Sequence, residues 1–269
     1  MFKGSSRYTA EEIAQEFDGI GGELNAATSK EYVVVYGRFL NRHLERALDV
    51  LVDMLLTPTF ADLDRERQVV LEEIAMYEDA PQDLIHDLFA QQVFGDHPLG
   101  HAVLGTRNSI AEMPEKQIRA YHHHHFALSD MVVAAAGDID HDELRELLLS
   151  KHNTHNGHGT LRPVTDVAWA PRTSFLAKDT EQMHVCLGGP GMARNDERRY
   201  ALSVMDGLFG GSLSSRLFQE VREKRGLVYS IFSFAAMYRE TGLMGVYFGC
   251  RPERLVEVMD TVRREIGRL

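Results

Sequence analysis

One order of predicted elements occurs twice along this chain. Residues 5–7 read Ser-Ser-Arg and are followed by a helix, a glycine, two strands of which the second ends in Tyr36-Gly37, and another helix. Residues 214–216 repeat Ser-Ser-Arg and are followed by a helix, Gly226, two strands of which the second ends at 247–249, and another helix. Such internal similarity predicts two copies of one supersecondary unit. We therefore predict an α+β protein with two homologous domains, each an antiparallel sheet covered by helices on one side.

The clearest predicted strand lies in the first repeat, at residues 31–38. Its sequence is rich in Val and Tyr, and β-branched and aromatic residues favour strands. The extended run at residues 23–28 precedes it across a short polar turn, so the two are predicted to pair as a hairpin. Further strands are predicted at residues 131–136, which we expect to be buried, 182–189, 226–234 and 243–249.

A stretch without hydrophobic periodicity separates the two repeats. Residues 153–172 contain Asn, His, Gly and two prolines, a composition typical of a linker. This predicts a first domain at residues 1–152 and a second at residues 173–269. A helix with a capping box formed by Thr9 and Glu12 begins close to the first residue, and an amphipathic helix closes the chain. We therefore expect both domains to be incomplete at these ends.

Composition limits the classes of partner and location. The formal net charge of −11 at pH 7 argues against nucleic acid as a partner, because phosphate binding requires a basic face. No uninterrupted apolar run approaches the length of a membrane span, so no membrane partner is predicted. Cys186 and Cys250 each lie in a strand-like run and are predicted to be packed thiols rather than a disulfide. A cytoplasmic or otherwise reducing location is the default expectation.

An acidic amphipathic helix is predicted at residues 64–79. Glu66 and Glu73 lie seven residues apart, or two helical turns, so both carboxylates project from one face. That face also carries Val69 and Val70. A carboxylate beside apolar neighbours on an inward face needs a cation, a hydrogen-bond donor or a metal. From this stretch alone a solvated face is favoured, because Glu is a good helix former and is usually exposed.

Four consecutive histidines, residues 122–125, lie in a predicted helix. Consecutive helical residues point in different directions, so at most two of these rings face one metal. A solvated or partly packed surface is therefore favoured over a metal site.

Three motifs in the chain resemble the pitrilysin-type metallopeptidases, also called inverzincins. They are Gly-Glu-Leu-Asn-Ala-Ala-Thr at residues 22–28, Glu-Arg-Gln-Val-Val-Leu-Glu-Glu-Ile at 66–74, and the run from Phe218 to Ser230. The resemblance covers essentially the whole chain. It implies two homologous α+β domains that enclose a chamber, and a zinc endopeptidase that cleaves peptides or unfolded segments.

The resemblance also implies roles for residues of the acidic helix. In this family zinc is held by two histidines of an H-x-x-E-H helix and by one distant glutamate, and the glutamate of the motif is the general base. Glu73 matches the distant zinc ligand. Glu66 matches an acidic residue that supports the metal site without binding the metal.

Four other residues match positions of the family that bind substrate or take part in catalysis. Asn25 and Ala26 match an edge strand that binds peptides through main-chain hydrogen bonds. Arg222 and Tyr229 match a pair that holds substrate carbonyl groups and suits stabilisation of an oxyanion. Without the resemblance, Arg222 would be interpreted as a surface residue and Tyr229 as a packed strand residue.

The sequence departs from the family in one respect, because it contains no H-x-x-E-H. In relatives this motif precedes a segment like residues 2–4. One glutamate cannot hold a catalytic zinc, so the chain as given is predicted to be inactive and to bind no zinc tightly. The first domain is expected to lack its N-terminal strand and the H-x-x-E-H helix, and the second to lack its last part.

Three explanations are open for the missing motif. The chain is a piece of an active peptidase, or a non-catalytic homologue that serves as a peptide-binding or partner subunit, or it builds a different metal site from Glu73 with His86 or His97. The implied partners are a peptide or unfolded polypeptide and a second copy or homologous subunit.

Overall fold

The computed structural model of the protein describes residues 1–151 and 167–269, whose contacts form two compact units. The first unit contains residues 1–72 and 106–151, and the second contains residues 73–105 and 167–269. In the part of the chain described, each unit combines helices with an antiparallel sheet. The predicted α+β class is therefore confirmed.

The order of elements follows the predicted one closely. The helices and strands are α1 (Ala10–Gly19), β1 (Glu23–Thr28), β2 (Val33–Arg38), α2 (Leu44–Leu56), α3 (Leu63–Glu78), α4 (Pro81–Phe94), α5 (Arg107–Glu112), α6 (Glu115–His125), α7 (His141–Ser150), β3 (Met183–Pro190), α8 (Arg199–Phe209), β4 (Ser230–Met237), β5 (Gly242–Cys250) and α9 (Leu255–Ile266).

Local sequence signals account for much of the first unit. The Thr9 hydroxyl accepts a hydrogen bond from the Glu12 amide at 3.2 Å, and the Glu12 carboxylate accepts one from the Thr9 amide at 2.8 Å. The predicted capping box is thus confirmed. β1 and β2 pair antiparallel over their full lengths, which confirms the predicted hairpin. Buried residues of α1 and α2 form the core against which the hairpin packs.

The predicted buried strand at residues 131–136 is wrong. The structure assigns no strand to this run, and the side chain of Val132 is 94% exposed. A strand needs a neighbour that satisfies its backbone N–H and C=O groups. Within the described ranges no strand pairs with this run, so its apolar composition does not produce a strand there.

The sheet of the second unit has the order β3-β5-β4, with both pairs antiparallel. Because side chains alternate between the faces of a strand, Val246 and Phe248 of β5 lie on the opposite face from Leu243 and Tyr247. The first pair packs in a core that includes buried residues of α9. Leu243 packs instead with the apolar face of α4. Both faces of this sheet are therefore covered, so the expectation of helices on one side is wrong for the second unit.

The second face explains why residues 73–105 pack in the second unit. Phe89, Ala90, Val93 and Phe94 of α4 are buried against this sheet. Glycine in the sheet makes room for α4: a Cβ at Gly188 would lie 2.8 Å from the Phe89 ring. The two compact units therefore differ from the predicted domains, whose boundary lies at residue 152. The units reflect which surfaces pack together, and the predicted boundary reflects only the order of residues along the chain.

The repeated Ser-Ser-Arg sequence forms the same kind of contact in both units. In the first unit, Arg7 Nε lies 3.2 Å from Oδ1 of Asp53, a buried residue of α2. In the second unit, Arg216 Nη2 lies 2.9 Å from Oε2 of Glu265, a buried residue of α9. The sequence repeat is therefore also a repeat of structure, in which the arginine of Ser-Ser-Arg pairs with a buried helix carboxylate.

Other predictions concern the linker, the thiols and the membrane. Most of the predicted linker at residues 153–172 lies outside the described residues, and its described part carries no helix or strand. Cys186 and Cys250 are both free thiols, and Cys250 is buried. Among the helices described, none has the length and apolar character needed to cross a bilayer.

Candidate functional site

The two carboxylates of α3 lie in different surroundings. Glu66 is half-buried, and its Oε1 lies 3.1 Å from Lys3 Nζ. Glu73 is exposed and forms no ion pair or hydrogen bond with the rest of the described chain. Val69 is 54% exposed, and Ile74 is the buried residue of this helix. Val69 and Glu73 therefore lie on a solvated face, which is the interpretation that the stretch alone favoured. Glu66, by contrast, has the cationic partner that a half-buried carboxylate needs.

The described residues do not fit a zinc site by themselves. A catalytic zinc requires three protein ligands, and Glu73 offers one carboxylate. In residues 1–151 and 167–269 no group of three His, Cys, Asp or Glu side chains is placed to hold a metal. His86 Nδ1 faces Cys186 Sγ at 4.0 Å, and His97 Nδ1 accepts a hydrogen bond from an amide at 3.2 Å. A metal site built from Glu73 with His86 or His97 is therefore not formed in this part of the chain.

The histidine run is partly packed. His122 is buried, and its Nε2 lies 2.8 Å from the Leu55 carbonyl oxygen. Its ring also stacks on Phe126, with centroids 4.7 Å apart. His123, His124 and His125 are exposed. One histidine of the run thus anchors α6, and the others lie on its surface.

Asn25 and Ala26 lie on β1, whose outer edge pairs with no strand among the described residues. Asn25 Oδ1 accepts a hydrogen bond from the Ala26 amide at 2.8 Å. Since this amide bonds a side chain of its own strand, we assign it to the outer edge rather than to the β1–β2 ladder. A peptide strand that paired here would replace the Asn25 side chain as acceptor.

A groove of about 470 Å³ lies beside the same strand. Its lining includes Phe2, Ile13 and Phe17, together with Leu24 and Asn25 of β1. This volume is in the range of small ligand sites. A groove lined partly by apolar side chains therefore adjoins β1.

Arg222 lies in a helical segment of rare geometry. Residues Phe218–Glu223 form a π-helix, a conformation that is uncommon and frequent at functional sites. The guanidinium carbon of Arg222 lies 5.0 Å from the centroid of the Tyr229 ring and 4.6 Å from that of the Phe218 ring. The structure therefore brings the predicted Arg–Tyr pair together. It adds Phe218, which the sequence analysis did not single out although its spacing from Arg222 is a helical contact spacing.

Tyr229 lies just before β4 rather than within it. Gly226 adopts a positive φ of 59° after the π-helix, and Leu227 and Val228 then turn into the core. The strand starts at Ser230, and the Tyr229 side chain is 78% exposed. The interpretation of Tyr229 as a packed strand residue is therefore wrong, and its hydroxyl is accessible to a ligand.

A cluster of rings between α4 and the sheet was missed by the sequence analysis. The centroid of the His86 ring lies 4.9 Å from that of Phe234 and 5.3 Å from that of Tyr247. His184 Nδ1 lies 2.9 Å from the Tyr247 hydroxyl. Burial lowers the pKa of His86 and of His184 and raises the pKa of Cys186 to about 12. The imidazoles of His86 and His184 are therefore neutral, and the Cys186 thiol is protonated, at neutral pH. Uncharged groups suit a packed region, because burying a charge is costly.

We expect the second unit to lose stability in mild acid because of His86. Burial lowers the pKa of His86 in the folded state, although Asp83 and Asp87 oppose this effect. The neutral ring therefore contributes stability above its ordinary pKa of 6.5, and this contribution is lost as the pH falls from there through the folded-state pKa. Thermal unfolding measured between pH 7.5 and pH 5 should show a smaller decrease for His86→Phe than for the wild type. His141→Gln, at an exposed histidine, should leave the decrease unchanged; an equal decrease in His86→Phe would contradict the assignment.

Two family descriptions match the chain. The family described as "Insulinase (Peptidase family M16)" matches residues 1–107. The family described as "Peptidase M16 inactive domain" matches residues 113–269. The chain belongs to peptidase family M16. The predicted family resemblance is thus confirmed, and the motifs that carried it lie within these matches.

Proteins similar to the chain include two bacterial proteins that are named as zinc proteases. An uncharacterized zinc protease of Streptomyces coelicolor is 42% identical over 99% of this chain, which covers 60% of that protein. The uncharacterized zinc protease YmxG of Bacillus subtilis is 38% identical over 100% of this chain, which covers 66% of that protein. The chain therefore spans about two thirds or less of the length of these relatives.

Two solved structures have the same fold. The crystal structure of a peptidase M16 inactive domain from Pseudomonas fluorescens matches 97% of this chain and 66% of that chain, with a TM-score of 0.90 and 25% identity. A protease from Helicobacter pylori matches 98% of this chain and 67% of that chain, with a TM-score of 0.87 and 21% identity. The predicted fold type is therefore confirmed.

Proposed function

We propose that this chain is the peptide-binding part of a zinc metalloendopeptidase of the pitrilysin type. The observation that carries the proposal is the outer edge of β1, where the Ala26 amide and the groove beside Asn25 suit an added peptide strand. Membership of peptidase family M16, and relatives named zinc proteases, support the reaction class. The exposed Tyr229 beside Arg222 supports a role of this pair in holding peptide carbonyl groups.

The zinc part of the proposal rests on the resemblance to the family. Glu73 would supply one carboxylate ligand, and Glu66, held by Lys3, would support the site without binding the metal. Because the sequence contains no H-x-x-E-H and the described residues do not fit a zinc site, this chain alone would not hold a catalytic zinc. The chain by itself would bind peptides without cleaving them.

A non-catalytic peptide-binding or partner subunit is a second candidate function. The outer edge of β1 favours this second function as well. The described residues offer this edge and the Arg222–Tyr229 pair without a set of metal ligands. Its partners would be a peptide or unfolded polypeptide and either a second copy or a homologous subunit. The free thiols of Cys186 and Cys250 support a reducing compartment such as the cytoplasm.

Titration of an unstructured fluorescent peptide into the chain tests this proposal. We expect saturable binding, no cleavage, and no stoichiometric zinc after dialysis. Ala26→Pro should weaken binding about five- to tenfold, because proline removes one outward N–H whose hydrogen bond contributes about 1 kcal/mol. Asn25→Ala is the matched control: it removes the competing acceptor and should leave binding equal or tighter.

Three results would contradict the proposal. The first is that the wild-type chain binds no peptide. The second is that Ala26→Pro, with unchanged circular dichroism, binds peptide as tightly as the wild type. Stoichiometric zinc together with turnover by this chain would refute the assignment of an inactive peptide-binding part.

A further inference from the structure

We propose that Phe218 is a positioning residue, whose ring holds the guanidinium of Arg222 so that its N–H groups are presented to a bound peptide. The inference rests on the proposed function, because it names the group that prepares Arg222 for its peptide ligand. It starts from the Arg222 guanidinium carbon, which lies 4.6 Å from the centroid of the Phe218 ring and 5.0 Å from that of the Tyr229 ring. These distances are within the range of cation–π attraction.

Arg222 needs such a contact because no polar group of the described chain fixes its orientation. Its nearest carboxylate is that of Glu223, whose Oε1 lies 3.8 Å from Arg222 Nε, beyond hydrogen-bond distance. The guanidinium donates no hydrogen bond to the described residues. An arginine side chain has large rotamer entropy, so an unrestrained one would lose much of its binding energy on becoming ordered. Ring contacts restrain the guanidinium without using its donors.

Phe218 is better suited than Tyr229 to fix the guanidinium. It lies half-buried on the π-helix, next to Leu217 and three residues before Val221. Leu217 and Val221 are both fully buried in the core of the second unit, so the backbone that carries Phe218 is anchored. Tyr229, by contrast, is 78% exposed. Phe218 therefore supplies the fixed surface, and Tyr229 completes the contact from the ligand side.

The chemistry of the Arg222 guanidinium indicates which atoms of a ligand it binds. A planar guanidinium with unpaired N–H donors pairs best with carbonyl or carboxylate oxygens, which every peptide offers. Lysine would not replace it, because an ammonium lacks the planar shape that stacks on a ring and forks its hydrogen bonds. The peptide affinity of Arg222→Lys should therefore fall even though the charge is kept.

A double-mutant cycle in this chain tests the positioning role. Phe218→Leu keeps an apolar side chain but removes the ring, and it should weaken binding of the fluorescent peptide about two- to fivefold. Phe218→Tyr keeps the ring and should restore wild-type affinity. Because the ring acts through the guanidinium, Phe218→Leu should cause no further loss in an Arg222→Lys background. Phe232→Leu is the matched control, since Phe232 is half-buried in the same unit and its ring contacts are with His86, Phe234 and Tyr247.

Nuclear magnetic resonance provides a readout that is independent of peptide binding. The Arg222 side-chain protons should be shielded by the rings, and Phe218→Leu should shift them downfield, whereas Phe232→Leu should not. If the wild-type chain binds no peptide, the proposed function fails. If it binds peptide and Phe218→Leu keeps full affinity, or weakens binding equally in both backgrounds, the positioning role alone is overturned. An unshielded Arg222 in the wild type would overturn it as well.

Discussion

Glu73→Gln is expected to abolish zinc-dependent peptide cleavage in a version of this chain that is extended by an H-x-x-E-H segment ahead of Phe2. The extension would place the two histidines and the general base where the family resemblance implies them, and Glu73 would then be the third ligand. A neutral carboxamide is a poor zinc ligand, so we expect a loss of more than about 100-fold, beyond the range for residues that only support a metal site. Metal content and hydrolysis of a quenched fluorescent peptide measure this.

Two other glutamates of α3 make this test specific. Glu66→Gln should lower activity by about 10–100-fold, since it removes a supporting carboxylate that is paired with Lys3. Glu72→Gln is the matched control, because Glu72 is an exposed neighbour to which the resemblance assigns no role. Full activity of Glu73→Gln in the extended protein would remove Glu73 from the metal site.

Asp53→Ala is expected to lower the free energy of unfolding of the first unit by about 3 kcal/mol. Asp53 accepts hydrogen bonds from the Ser6 hydroxyl at 2.9 Å and the Arg7 amide at 3.0 Å, and it also pairs with the Arg7 guanidinium. Breaking a buried ion pair costs about 3–5 kcal/mol, and the low end applies because the Arg7 side chain is half exposed. Urea unfolding followed by far-UV circular dichroism measures the loss.

The pH dependence of this contribution has a defined sign. Burial raises the pKa of Asp53, but hydrogen bonds from Ser5, Ser6, Arg7 and Thr57 outweigh it and hold the pKa below the ordinary 3.8. The stabilisation is therefore present above pH 3.8 and is lost as the pH falls through the folded-state pKa. Glu45→Ala, at an exposed carboxylate on the same helix, should change stability by less than about 0.5 kcal/mol.

The structural repeat extends this expectation to the second unit. Glu265 is the counterpart of Asp53 and pairs with Arg216 at 2.9 Å and Arg268 at 2.8 Å. Glu265→Ala should lower the free energy of unfolding of the second unit by a similar amount. Urea unfolding monitored by the fluorescence of Trp169, the one tryptophan of the chain, measures this loss. Glu257→Ala, at an exposed residue of α9, is the control. If both buried carboxylates tolerate alanine, the repeated ion pair does not stabilise the units.

Interactions between near neighbours in sequence were predictable. The capping box at Thr9 and Glu12 involves groups three residues apart, and the β1–β2 hairpin joins strands across a short turn. Both depend on local backbone geometry and side-chain chemistry, which single-sequence patterns record. The contact between Phe218 and Arg222 is also local, since the residues lie four apart, and the spacing could have indicated it.

Contacts between distant segments were not predictable in the same way. His86 and Cys186 lie 100 residues apart, and only packing of α4 on the sheet brings them together. The run at residues 131–136 has strand composition, but composition cannot supply the neighbouring strand that a sheet requires. β4 begins only at Ser230, so Tyr229 lies outside the predicted strand and is 78% exposed.

The amino-acid sequence by itself determined the family, the α+β class, the repeated order of elements and the absence of H-x-x-E-H, because each is written in local motifs and their spacing. Only the tertiary structure decided that α4 packs in the second unit, that Glu66 is paired while Glu73 is exposed, and that two rings contact Arg222. These properties depend on burial and on contacts that form when the chain is folded, and a linear pattern does not contain them.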